Sequence, residues 1–144
     1  PKKNILNQLL AMRLVQKEMK LTLHTNIKGY DQYVEELDCV RHKWLTEKEY
    51  QKLIASARVN LACSWSETFN YNVAEAGLLG TVSVISKTIP LPGRVVDNVN
   101  SPVSIAEQTT GPLIPEDIHE QMEAVLRLKN SECQRILKEK AILS

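Results

Sequence analysis

Residues 59–85 constrain the fold of this chain more than any other stretch. An apolar run, Val59 to Cys63, leads into a polar segment, Ser64 to Tyr71. A helix-forming run, Asn72 to Leu79, follows and stops at Gly80, and a second apolar run, Thr81 to Ile85, comes at once. Strand, polar loop, helix, glycine stop and strand outline a βαβ unit. Both apolar runs lack polar alternation, apart from Asn60, so both faces of each strand are expected to be covered, as in a parallel sheet.

The flanks repeat this alternation. Ile5, Leu9, Met12 and Val15-Gln16 follow helical spacing, widened by Leu6, Leu10 and Leu14, and Asn4 is placed to cap the helix. Leu21 to Thr25 reads as a strand, Asn26 to Gly29 as a turn, Tyr30 to Leu37 as a short helix and Cys39 to His42 as a short strand. Thr46 with Glu49 forms a capping box for a helix over Glu47 to Ala57, whose stripe is Tyr50, Leu53, Ile54 and Ala57. Beyond Ile85, a loop from Lys87 to Pro92, a helix from Gly93 to Asn98, a strand from Pro102 to Ile105 and a loop from Glu107 to Pro115 are expected. An acidic first turn at Glu116 and Asp117 opens a helix with Ile118, Met122, Val125 and Leu126 inside. Ser131 starts a last helix with Cys133, Ile136, Leu137 and Ile142 on one side. The whole reads as α/β: a Rossmann-like parallel sheet with helices on both faces, in one domain over residues 1–144.

Bulk properties narrow the function. A hydrophobic fraction of 43%, a charged fraction of 24% and a net charge of +1 describe an ordinary globular chain without a strongly charged partner. Basic residues are scattered, which disfavours nucleic acid. No apolar run approaches the roughly 18 residues of a membrane span. Cys39, Cys63 and Cys133 have neither paired nor metal-ligand spacing, and read as reduced thiols of a cytosolic protein. His24, His42 and His119 are far apart and lack ligand spacing; His24 closes a strand on the binding edge, where a structural role and a role near a ligand both stay open.

In such a unit ligands bind at the carboxyl ends of the strands. The start of the helix after Ser64 favours phosphate, because its N–H groups carry partial positive charge. Glu67 and Glu75 fit that place only if they face something neutral beside the phosphate, such as sugar hydroxyls. A phosphorylated sugar or nucleotide satisfies both features. The plainer reading makes Glu67 a solvated loop residue and Glu75 an ordinary helix residue.

The run Ser64-Trp65-Ser66-Glu67-Thr68-Phe69-Asn70-Tyr71-Asn72-Val73-Ala74-Glu75-Ala76 resembles the signature of retaining glycosyltransferases of the GT-B fold. That signature is Ser-x-x-Glu-Gly-Phe-Gly-x-x-x-x-Glu-Ala-x-x-x-Gly, followed by an apolar strand. Ser64, Glu67, Phe69, Glu75, Ala76 and Gly80 match it, with Val84 and Ile85 in the strand that follows. Pro1-Lys2-Lys3-Asn4 resembles the turn that opens the first helix of the donor-binding domain, and Val40 to Tyr50 resembles its later strand and helix.

The resemblance implies the carboxyl-terminal half of a GT-B enzyme, which takes a nucleotide-diphosphate sugar as donor and transfers the sugar to an acceptor hydroxyl with retention. It implies Lys3 on the donor phosphates, Glu67 as the catalytic-site carboxylate at the transferred sugar, Glu75 on the ribose, the backbone of Phe69, Asn70, Tyr71 and Asn72 beside the diphosphate and sugar, and Trp44 beside the base. It implies no metal and no separate cofactor. The strand expected before Pro1 and an amino-terminal acceptor domain are not in the chain, so a piece of a two-domain enzyme, inactive alone, is expected, with the last helix packing on the other half or on a membrane surface. Thr68 and Asn70 replace glycines of the signature, and Tyr71 is larger than usual there. These changes fit a rival reading, a non-catalytic interaction module on the same scaffold; a nucleotide-sugar epimerase of that fold is another.

Overall fold

The computed structural model describes residues 3–64, 71–85, 115–127 and 139–144. Ten elements follow in order: α1 (Ile5–Gln16), β1 (Thr22–Thr25), α2 (Asp31–Val34), β2 (Cys39–Arg41), α3 (Glu47–Ala55), β3 (Val59–Ala62), α4 (Tyr71–Leu78), β4 (Val82–Ile85), α5 (Pro115–Leu126) and β5 (Lys140–Leu143). The five strands form one parallel sheet in the order β2-β1-β5-β3-β4. This is the Rossmann-like α/β architecture expected from the alternation of elements.

Side-chain alternation along the strands divides the core in two. Leu23, Val59, Leu61, Val84, Ala141 and Leu143 meet Leu9, Met12 and Val15 of α1 and Ile118, Met122 and Val125 of α5. On the other face α3 and α4 cover the sheet: Ile54, Val73 and Ala76 are fully buried there. All four residues of β3 are buried, so this strand has no solvent face.

The chain's end departs from its expected form. Lys140–Leu143 is a strand, not the end of an amphipathic helix bearing Ile142. Three consecutive residues, Ala141, Ile142 and Leu143, are buried. A helix on a surface would turn one of them to solvent, whereas a central strand sends them alternately into two covered faces. β5 aligns Leu23 with Ala141 on one side, and Val59 with Ala141 on the other. It occupies the central place of the sheet, between β1 and β3. Ser131, Cys133, Ile136 and Leu137 lie outside the described residues, as do the elements expected between Ser86 and Leu113.

Local chemistry accounts for the element ends. Thr46 Oγ1 accepts the N–H of Glu49 at 3.2 Å, as the capping box requires, and the hydroxyl donates to Glu49 Oε1 at 3.0 Å. Gly80, at φ +80, ends α4: its N–H reaches the Gly77 carbonyl at 3.2 Å and the Thr81 N–H reaches that of Ala76 at 2.8 Å. That pair of bonds is a Schellman motif, and its left-handed residue favours glycine. Asn4 stands at the start of α1 but does not cap it by side chain; at φ 53 its Oδ1 takes the amide of Asn7 at 2.6 Å. Leu6 of the expected α1 stripe is exposed, whereas Gln8 is buried.

Truncation distinguishes a central strand from a surface helix. Ile142→Ala should lower unfolding free energy by about 2–5 kcal/mol, as for other buried aliphatic truncations. Urea denaturation checks this; a loss below about 0.5 kcal/mol, usual for exposed positions, contradicts the central placement of β5.

Candidate binding site at the carboxyl edge of the sheet

β1, β5 and β3 end side by side, at Thr25, Leu143 and Ala62. Beyond them a cavity of about 110 Å³ opens between Lys3, Gln8, Ser64, Asn72 and Ser144, with Leu61, Ala62 and Leu143 as apolar walls. A smaller recess of about 20 Å³ lies next to it, bounded by His24, His42, Tyr50 and Ile142 and sharing Leu143 and Ser144.

Gln8 positions the first cavity. Its Nε2 donates to the carbonyls of Lys3 at 2.7 Å and Asn4 at 3.2 Å, while its Oε1 accepts the Cys63 N–H at 3.0 Å. One buried amide thereby ties the segment before α1 to the end of β3, and sets Lys3 beside Ser64. A buried polar side chain of this kind is tolerated because its groups are paired.

A second polar chain crosses the opposite face. Asn60 Nδ2 donates to Asn72 Oδ1 at 2.6 Å and to Ser83 Oγ at 3.1 Å. Asn72 Nδ2 donates to Tyr50 Oη and, at 3.4 Å, to Ser144 Oγ; Tyr50 Oη and Ser144 Oγ are 3.2 Å apart. Two strands, two helices and the residue after β5 meet in this network. It holds the amino end of α4 against the sheet, so the positive end of the helix dipole lies at the cavity.

The histidines are not separate, as their sequence spacing suggested. His24 Nδ1 and His42 Nε2 are 3.0 Å apart, with the rings stacked at 5.2 Å and 21°. Burial, then the neighbouring His42, then Lys140 hold the His24 pKa below its ordinary value, against a smaller opposite pull from Asp38. One ring must donate and the other accept, so protonating both breaks the bond.

The expected site residues are placed unequally. Lys3 lines the cavity. Glu75 is half-buried on α4, three residues after Asn72, and is not in the cavity wall. Trp44 is 80% exposed in the segment after β2 and so is not packed in the core, and Tyr71 is 74% exposed at the start of α4. Glu67, Phe69 and Asn70 lie outside the described residues. The sequence reading missed Gln8, Tyr50 and Ser144, and gave Asn72 only a backbone role. Two signals were present: Asn60 is the lone polar residue of an apolar strand, and Gln8 interrupts an apolar helix. The thiols behave as expected of inert groups: burial pushes the Cys63 thiol up to about 12 and raises that of the half-buried Cys39. Among the described residues no helix is long and apolar enough to cross a membrane.

No protein-family model, curated protein or solved structure matches the chain.

Two outcomes are expected. Gln8→Leu leaves the Cys63 N–H without its acceptor and should cost about 1–3 kcal/mol in urea denaturation; no loss would mean the amide does not organise this edge. The second concerns pH. His24 binds protons less well in the fold than in the unfolded chain, where histidine titrates near 6.5. Stability is therefore complete above that value and is lost as pH falls below it, because the unfolded chain takes up the proton first. Urea midpoints of the wild type should fall between about pH 7 and about pH 5 more steeply than those of His24→Asn; parallel slopes contradict the assignment.

Proposed function

We propose that the carboxyl edge binds the diphosphate of a nucleotide sugar, and that the chain is the donor-binding half of a retaining GT-B glycosyltransferase. The observation that carries this reading is the convergence of Lys3 and the amino end of α4 on one cavity at the carboxyl end of a parallel sheet. An ammonium and a helix amino terminus together favour an anion. At about 110 Å³ the cavity suits a phosphate-sized group rather than a whole nucleotide sugar, because pockets for complete ligands run to roughly 300–1,000 Å³. The base and sugar then lie over the edge, where Trp44 and Tyr71 present exposed rings.

In this reading Lys3 and the α4 amino terminus stabilise the diphosphate as it leaves, which is electrostatic catalysis by preorganised groups. Glu67 meets the hydroxyls of the transferred sugar, Glu75 the ribose and Trp44 the base, and the backbone of Phe69 to Asn72 faces the diphosphate. The acceptor hydroxyl is supplied from an amino-terminal domain. We place the protein in the cytosol, in keeping with the free thiols of Cys39 and Cys63. The departures at Thr68 and Asn70 favour the second reading, an interaction module that keeps the scaffold without the chemistry.

Calorimetric titration with UDP-, GDP- and ADP-sugars separates the two. One donor class should bind, Lys3→Ala should weaken it at least about tenfold, the effect of one lost charge-assisted contact, and Glu75→Ala should weaken it as well. The chain alone should transfer no sugar. Absence of binding by all three classes, with Glu75→Ala inert, establishes the module instead.

A further inference from the structure

At the opposite edge of the sheet, the end of α1 meets α5. Glu18 lies just beyond α1, and His119 and Glu123 share one face of α5 at i and i+4. One ligand atom from each of the three lies within 4.8 Å of the others. His119 Nε2 stands 3.5 Å from Glu18 Oε2 and 3.1 Å from Glu123 Oε1. We propose that Glu18, His119 and Glu123 bind a divalent transition-metal ion, of the zinc class, that staples the end of α1 to α5.

Three observations point to an ion rather than to an ordinary histidine–carboxylate pair. The first is alignment. His119 Nε2 is sealed from solvent, yet neither carboxylate contact has the geometry of a hydrogen bond. A hydrogen-bonded acceptor sits on the axis of the ring N–H. Two carboxylate oxygens near this nitrogen without that alignment fit ligands that share an ion. The second is spacing. Zinc bonds of about 2.0–2.2 Å in a tetrahedral arrangement separate ligand atoms by roughly 3.3–3.6 Å, close to the two contacts of 3.5 and 3.1 Å. The third is support from outside the ligand set. Glu123 turns Oε1 to His119, while Arg127 Nη2 holds its other oxygen, Oε2, at 2.6 Å. A ligating carboxylate fixed through its second oxygen is a recurrent feature of metal sites.

One nitrogen and two carboxylate oxygens suit zinc and its neighbours better than calcium or magnesium, which take oxygen ligands alone. Three protein ligands leave a fourth position for water. The site is separate from the anion cavity. Gln8 lies in the first turn of α1 at the carboxyl edge, and Glu18 follows the helix end, about 15 Å away at 1.5 Å per residue. The expectation of a metal-independent donor site is therefore untouched, because the ion fixes two helices that pack on the sheet.

Cobalt(II) is the spectroscopic probe and zinc the competitor. One equivalent of cobalt(II) should give the visible absorption of a low-coordinate ion, zinc should abolish it, and zinc should raise the unfolding midpoint. Glu18→Gln changes an exposed side chain and should not disturb folding; with His119→Gln it should weaken binding at least about tenfold. His24→Asn, which breaks the His24–His42 pair, should leave binding intact. The proposal is overturned if no ion binds, if both site variants bind as the wild type does, or if the signal follows His24 instead.

Discussion

The structure depends on the pairing of Lys140–Leu143 along both of its edges. β1 carries β2, and β3 carries β4, but β1 and β3 meet only through β5. The Thr22 N–H donates to the Glu139 carbonyl at 2.7 Å, and the Arg58 N–H to that of Lys140 at 2.8 Å. Thr25 Oγ1 closes the far end on the Leu143 carbonyl at 2.5 Å. In a doubly covered sheet water does not reach these backbone groups, so their partners must come from a neighbouring strand. A short apolar strand suffices because Ala141, Ile142 and Leu143 fill both faces at once.

That strand also builds the site. It delivers Ser144 to the place where Tyr50 and Asn72 meet, and Leu143 to the walls of both recesses. Several polar residues around this end, among them Gln8, Thr25, Asn60 and Ser64, are buried. Burying amides and hydroxyls is unfavourable unless each finds a partner. Gln8, Thr25 and the Asn60 Nδ2 group find theirs on different elements, which fixes how the helices sit over the strand ends. Rigid placement of Lys3 and of the α4 amino terminus is the product. The opposite edge is organised by charge, where Glu18, His119, Glu123 and Arg127 join α1 to α5.

Much of this was legible in the chain itself. Continuous apolar runs at Val59 to Cys63 and Thr81 to Ile85 announced buried parallel strands. Thr46-x-x-Glu49 and Gly80 marked a helix start and a helix stop, and Ile118, Met122, Val125 and Leu126 were read correctly as one buried stripe. These features were readable because each depends on neighbours in sequence. Ala141-Ile142-Leu143 was not, because three apolar residues carry no period and their form is decided by the vacancy between β1 and β3. The same holds for the site. Lys3 was found through a resemblance, while Gln8 and Asn72 act through partners 55 and 12 residues away. The His24–His42 contact likewise joins residues distant in the chain, and the i, i+4 pair His119 and Glu123 gains Glu18 from another helix end, so residue spacing alone could not reveal either group.

The central claim is that a phosphate-bearing sugar nucleotide sits at the carboxyl edge. Amide NMR spectra recorded during titration with the UDP-, GDP- and ADP-sugars test it residue by residue. One of them should move the signals of Lys3, Gln8, Ser64, Asn72 and Ser144 most, and leave those of Glu18, His119 and Glu123 in place. Spectra unchanged by every donor, or changes centred away from Lys3 and Asn72, would contradict it.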